Sequence, residues 1–307
     1  MAREAALAVG FGAAAGLLFL SLLSGSPLAM VLVNLTQLPL FLAGLMLGPH
    51  AAAIAGAAGA LGTLTATSLN GALFFALGYA APVVLLSWQA LRWRADAAGT
   101  VWWYPPGRLV AWLVVIALAS LGAGAVLTVG HEGGYEGAVR AVLDEQLAAF
   151  MGAGDRNAQM ATAMAAIFPG IGAATWMFLT AANGALAQRL LVWWRKNLRP
   201  TPDMVDVELP RWIGLAFIVA LAVALLLTGT PAYLGRNALP IFALAFFVAG
   251  LAVVHAAARR FSAPGPILGL IYVLILFLTP VTTAVAALGL IEQWAGLRRR
   301  LAAGKGE

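Results

Sequence analysis

The sequence predicts an all-α fold, a polytopic integral membrane helix bundle of about eight to ten transmembrane helices with both termini cytoplasmic. Three observations lead there. Of 307 residues, 62% are hydrophobic and only 10% are charged, where a soluble chain carries about a quarter charged residues. The mean hydropathy is +0.92. The apolar residues also gather into runs near the roughly 20 residues that a helix needs to cross the hydrocarbon core, and the charges fall between the runs.

Taken in order, the runs place spans near 5–24, 28–48, 51–69, 71–90, 109–130, 160–188, 212–230 and 238–258. The first could also be read as a cleaved signal peptide, since Arg3 precedes an apolar run that ends at Ser24-Gly25-Ser26. The absence of an A-x-A site and the immediate start of another span favour a retained helix. A last block at 264–297 is interrupted by Pro280. It forms either one long tilted crossing or two short helices. With two, and the N-terminus inside, 15 basic residues fall in the cytoplasm and three outside (Arg140, Arg156, Arg236). With one, Arg298, Arg299, Arg300 and Lys305 move outside. The positive-inside rule therefore favours ten crossings. Nine of the ten tryptophans sit near the proposed cytoplasmic ends, where an indole keeps its N–H wet, and Trp176 alone lies mid-span.

The chain divides into a six-span block at 1–190, a Pro-rich cytoplasmic linker at 191–211, and a three- or four-span block with a basic tail at 212–307. In the external loop at 131–158, Val139, Val142, Leu143, Leu147, Phe150 and Met151 recur at helical spacing opposite Arg140, Asp144 and Glu145. This predicts an interfacial helix resting on lipid, or a lid over an outward-facing cavity.

Composition also excludes functions. The net charge of +6 and pI near 10.3 reflect basic cytoplasmic loops, and no nucleic-acid partner is expected. Sixteen of the 18 basic residues are Arg, a bias that suggests a GC-rich bacterial genome and hence the bacterial inner membrane. There is no cysteine, which removes thiolate metal sites and cysteine nucleophiles. His50, His131 and His255 follow no metal-binding spacing, so neither metal nor cofactor is expected. No Asp, Glu, Lys or Arg lies within the body of a proposed span, whereas proton relays and ion-coupled carriers place one at mid-depth. No phosphate loop of the G-x-x-x-x-G-K-[ST] type occurs, and no intramembrane protease arrangement is present. The chain reads as no enzyme, with catalytic residues none.

Neutral polarity remains. Asn34, Gln37, Ser68 and Asn70 lie in the outer half of their spans, and amides in hydrocarbon are costly unless paired. Asn34, Gln37 and Asn70, with Trp176 stacking on a planar ligand, are the candidate ligand-binding residues. The alternative is helix-to-helix hydrogen bonding, which suits Asn183 better still. A second pattern is the small-residue face Ala8, Gly12 and Gly16, repeated by Ala52, Gly56 and Ala60. Such faces let backbones approach closely, either within the chain or against another membrane subunit.

The C-terminal third carries a resemblance. Leu209-Pro210-Arg211-Trp212 opens a span, Asn237 opens the next, and Gly250-Leu251-Ala252 lies within it. The chain then runs through Leu288-Gly289-Leu290-Ile291-Glu292-Gln293-Trp294 to Leu297-Arg298. This arrangement resembles the YybS-like family of predicted bacterial membrane proteins, most specifically over 209–298, with Glu292 standing where Asp is more often expected. That family is distantly similar to the S-components of energy-coupling-factor transporters. The resemblance implies a six-helix, ATPase-free unit that binds a solute from outside and docks onto a membrane subunit through the first helix. Four further spans depart from that plan. Two functions follow as expectations: a solute-binding or uptake component lacking its own ATPase, or a non-transporting membrane scaffold for envelope proteins.

Overall fold

The computed structural model describes residues 2–152 and 154–303. In chain order the elements are α1 (Ala2–Leu20), α2 (Pro27–Val33), α3 (Gln37–Leu47), α4 (Pro49–Ala66), α5 (Leu69–Phe75), α6 (Ala81–Ala90), the strands β1 (Trp93–Ala95) and β2 (Val101–Trp103), and α7 (Pro106–Leu127). There follow α8 (Gly134–Met151), α9 (Asp155–Ala165), α10 (Phe168–Trp193), α11 (Arg211–Leu226), α12 (Gly229–Ala258), α13 (Pro264–Phe277), α14 (Thr279–Ala295) and α15 (Leu297–Ala303). The protein is an all-α polytopic membrane bundle.

Five stretches among the described residues are long and apolar enough to cross a membrane: Ala2–Ser24, Pro27–Leu47, Leu69–Ala90, Pro106–Leu127 and Gly229–Ala258. Two bent pairs raise the number to seven if each is one span, α9 with α10 at 59° and α13 with α14 at 114°. The ten crossings expected from charge balance require α13 and α14, of 14 and 17 residues, each to span alone. Helices of that length cover less than the roughly 30 Å hydrocarbon core at 1.5 Å per residue. Lys305, which entered that balance, lies outside the described residues.

The chain packs as two units, residues 1–109 with 178–202, and residues 110–177 with 203–307. One boundary, between Pro202 and Asp203, falls inside the linker expected at 191–211, whereas those at 109/110 and 177/178 cut across the six-span block expected at 1–190.

In the first unit, α1 lies along α4. Ala8 is fully buried, a Cβ on Gly12 would strike the Ala55 carbonyl, and one on Gly16 would meet the Gly59 carbonyl at 3.3 Å. The Ala8, Gly12 and Gly16 face is thus taken up inside the chain, where the sequence had also offered it to a separate membrane subunit. Gly59 opens room for the fully buried Phe75 ring, which joins Phe19 and Tyr79 in an aromatic cluster. A π-helical turn at Ala76–Ala80 links α5 to α6. Pro82 explains it, because proline cannot donate to the carbonyl four residues back and the ladder must widen.

Between α6 and α7 the chain forms an antiparallel hairpin, pairing Trp93 with Trp103 and Arg94 with Trp102. The sequence had given this segment no strand. Its turn is organised by Asp96, whose carboxylate accepts hydrogen bonds from Ala98 N (3.0 Å), Thr100 N (2.9 Å) and Trp102 Nε1 (3.0 Å). The Trp102 indole foremost holds that carboxyl below its ordinary pKa.

In the second unit, α8 is helical over Gly134–Met151 as its periodicity predicts. Its apolar face does not simply lie on lipid, however. Val139, Leu143 and Leu147 pack against Ala161 and Ala165 of α9, while Val142 and Met151 point outward. A partner helix satisfies the moment that had suggested a membrane surface. The Phe150 side chain lies outside the described residues. A cleft of about 670 Å³ beside this pair is lined by His131, Glu132, Arg140, Asp144 and Thr162.

The span expected as continuous over 160–188 is broken between α9 and α10. Pro169 has no N–H for the Ala165 carbonyl, and α12 supplies the missing partners. Tyr233 Oη donates to Ala165 O (2.6 Å), Asn237 Nδ2 donates to Ala166 O (3.2 Å), and Gly170 N donates to Asn237 Oδ1 (2.8 Å). One amide side chain is thereby inserted into the helix ladder, a recognised cause of a kink. Together with the Arg236–Glu136 pair at 3.2 Å, these bonds place residues 110–177 with the C-terminal helices. They also extend α12 back to Gly229, across the loop expected at 231–237.

Asp203 receives both oxygens' bonds from Arg259 (2.6 and 2.7 Å) and one from Val205 N (3.1 Å). The guanidinium first, then the amide, holds its carboxyl below the ordinary aspartate value. A depressed folded pKa contributes stability that is complete above about pH 4 and lost as pH falls through the folded value. Both partners are well exposed, so Asp203→Asn is expected to cost under about 1 kcal/mol at pH 7. The variant should also show a shallower loss of thermal stability below pH 4. Matching pH slopes for both proteins would contradict this.

Candidate ligand-binding site

The most distinctive polar feature of the first unit is the junction of α2 and α3. Ser26 caps α2 by accepting from Ala29 N (3.2 Å), with Pro27 following at the first helical position, the arrangement expected for a helix start. The helix stops after seven residues because Pro39 cannot donate to the Leu35 carbonyl. That carbonyl is taken instead by Leu38 N at 3.0 Å, and Thr36 N reaches back to Val33 O at 3.2 Å. Tight three-residue bonds therefore replace one turn of α-helix and turn residues 34–37 toward other elements.

On the facing stretch of α10, Asn183 meets this junction. Its Nδ2 donates to the Asn34 carbonyl (2.8 Å) and to Leu179 O (2.8 Å). Gly184 beside it leaves room for the Phe41 ring of α3, within 3.4 Å of where a Cβ would stand. The contact brings the two backbones together at the break.

Three buried polar atoms at this junction have no partner among the described residues: Thr36 Oγ1, Gln37 Nε2 and Asn183 Oδ1. The residues are 0%, 3% and 3% exposed. A buried polar atom left unsatisfied costs about 1–3 kcal/mol, so each of the three calls for a partner and is a candidate contact for a bound molecule. Their chemistry is complementary and neutral. The glutamine amide donates, the asparagine oxygen accepts, and the threonine hydroxyl does either. A small uncharged solute bearing both a carbonyl and an N–H or O–H matches that set. Ser87 Oγ on α6 is a fourth orphan, in contact with α3 where Gly44 has no side chain.

Of the residues proposed from sequence, Gln37 is one of these three. Asn34 joins it through its backbone carbonyl, while its side chain is exposed and bonds Met30 O (2.8 Å). Asn70 is exposed on the first turn of α5 and is not drawn into the junction. Trp176 is partly exposed and belongs to the other unit. The hydroxyls at the end of α4 and just past it are self-satisfied, Thr63 Oγ1 donating to Gly59 O and Thr67 Oγ1 to Thr63 O, each at 2.8 Å. Thr36, Asn183 and Ser87 were missed as site residues. The signal for Thr36 was the Asn-x-Thr-Gln-x-Pro string at 34–39, since a polar cluster before a proline marks a helix break, and for Asn183 it was an amide within an apolar run.

A family model described as a predicted membrane protein, DUF2232, matches residues 13–292. No curated protein and no solved structure matches the chain.

Proposed function

The chain belongs to the DUF2232 family of predicted membrane proteins, and from that premise we propose that it is a solute-binding component of a bacterial inner-membrane uptake system. In this reading it has no ATPase of its own and performs no catalysis. The observation that carries the proposal is the group of orphaned neutral atoms on Thr36, Gln37 and Asn183. The resemblance of 209–298 to YybS-like proteins, and of those to S-components of energy-coupling-factor transporters, supports solute binding alone, because the first-helix face through which S-components dock lies against α4 here. The ligand class is an uncharged, amide-bearing molecule, because no ionisable side chain belongs to the junction. The scaffold reading relied on the Gly12 face, and that face is in contact with α4.

The test pairs a ligand screen with one substitution. Neutral vitamins, nucleobases and amides are screened against the purified protein for a rise in Tm. Gln37→Met is expected to abolish that rise while adding about 1–2 kcal/mol to the stability of the free protein, since an unsatisfied amide is replaced by an apolar side chain of similar length and volume. A variant less stable than wild type, with no solute raising the wild-type Tm, would assign Gln37 to packing and defeat the proposal.

A further inference from the structure

The cytoplasm-proposed end of the second unit holds a different kind of cavity. An open groove of about 500 Å³, it is lined by Val254 and Ala257 of α12, Ile271 of α13, Leu288 of α14 and Leu301 of α15, with Arg300 as its one charged lining residue. That volume falls within the ~300–1,000 Å³ typical of ligand pockets.

The short helix α15 is built to present this wall. Gly296 ends α14 in the left-handed region at φ +57°, and the chain turns there. Arg298 then pins the new helix: its Nε donates to Glu292 Oε1 (2.9 Å), its backbone N to Glu292 Oε2 (3.2 Å), and its guanidinium also bonds Val205 O. With Arg298 so held, Leu297, Arg300 and Leu301 share one face, at the i, i+3, i+4 spacing that makes helix neighbours. Among the described residues Arg300 has no ion-pair partner. A long apolar cavity with a lone unpaired cation at its rim is complementary to one chemistry, a hydrocarbon tail attached to an anionic head.

We infer that this cavity is a specific site for an anionic phospholipid, its acyl chain lying between α12, α13 and α15 and its phosphate at Arg300. The tail gains little over bulk bilayer, so it supplies position, and the arginine supplies selectivity. One basic residue near an anionic head is worth about fivefold in partition (about 1 kcal/mol).

The full chain is reconstituted in nanodiscs of phosphatidylcholine and phosphatidylglycerol with identical acyl chains, at equal mole fraction. Lipid retained after detergent extraction is quantified by mass spectrometry. Wild type is expected to retain phosphatidylglycerol about fivefold over phosphatidylcholine. Arg300→Gln should keep a bound lipid but lose the preference, and Ala257→Phe, which fills the cavity, should lose retained lipid of both kinds. A phosphatidylglycerol with a photoactivatable acyl chain should label residues 253–271 of the wild type, a readout independent of how either variant folds. No enrichment in wild type, an unchanged preference in Arg300→Gln, or labelling spread evenly over the spans would each reduce the site to ordinary boundary lipid and overturn the inference.

Discussion

Gly289→Leu is expected to lower stability by at least about 3 kcal/mol, measured by thermal or SDS unfolding in detergent. A Cβ at Gly289 would run into the Phe246 carbonyl and the Gly250 backbone nitrogen, and one at Gly250 would run into the Val285 carbonyl. All three obstacles are backbone, so no rotamer change makes room. Overpacking that side chains can absorb costs about 1–3 kcal/mol, and larger losses require a named mechanism such as helices forced apart. Close approach through glycine is how helices gain van der Waals contact where hydrocarbon removes the hydrophobic drive. Gly269 in α13 meets nothing within 4 Å, and Gly269→Leu is expected to be nearly neutral. Similar losses for the two variants would refute the close α12–α14 crossing.

Arg199→Ala is expected to cost about 2–3 kcal/mol. Arg199 is only 5% exposed. Its Nη1 donates to the Ala90 carbonyl at 2.7 Å, its Nη2 to the Tyr104 carbonyl at 3.4 Å, and the guanidinium lies 5.7 Å from the Trp103 ring centre. Ala90 ends α6, so the cation meets the negative end of a helix dipole. Gln188 Nε2 returns a bond to the Arg199 carbonyl at 2.9 Å, and the segment after α10 is fastened at both its backbone and its side chain. Burial pushes the guanidinium pKa down, and Nε has no partner among the described residues, so desolvation opposes these gains. Hydrogen bonds to a charged group contribute about 1.5–3 kcal/mol each, which decides the sign. Arg199→Lys should not rescue, because a point charge lacks the fork that reaches two carbonyls. Full stability in Arg199→Met would show that desolvation outweighs the bonds.

Much of the fold is legible because a membrane turns composition into geometry. Apolar runs had to be helices, since hydrocarbon leaves backbone groups no other partner. The small-residue face of α1 was readable as a close-packing surface, though its partner was not. Pro169, Pro82 and Pro39 each announce a fault in a helix, but proline says only that a carbonyl is freed. Whether the fault bends the helix depends on what accepts or donates nearby, and Asn237, 71 residues after Ala166, is what completes the break before α10. The α8 face illustrates the same limit. Its periodicity was plain, yet lipid and α9 are equally apolar to a count of residues.

For the candidate site the division is sharper. Gln37 could be singled out from sequence because an amide in an apolar run is expensive. Asn183 carried the same signature and was read as a structural bond, which half describes it, since Nδ2 is satisfied and Oδ1 is not. Asn70 and the threonines of α4 looked equivalent to Gln37 in one dimension. Only the fold separates a polar group that is exposed or bonded to its own helix from one that is buried and unmet.

What the sequence determined by itself is the class: a polytopic helical membrane protein. Arg236, expected in a loop, falls instead inside α12 and its candidate span. Burial follows from hydropathy, and hydropathy is additive along the chain. What only the tertiary structure decided is which polar atoms are left without partners, which helices are broken, and which faces are already occupied. Those are properties of pairs of residues far apart in the chain, such as Asn183 with Asn34 and Asn237 with Gly170, and no periodicity encodes a pair.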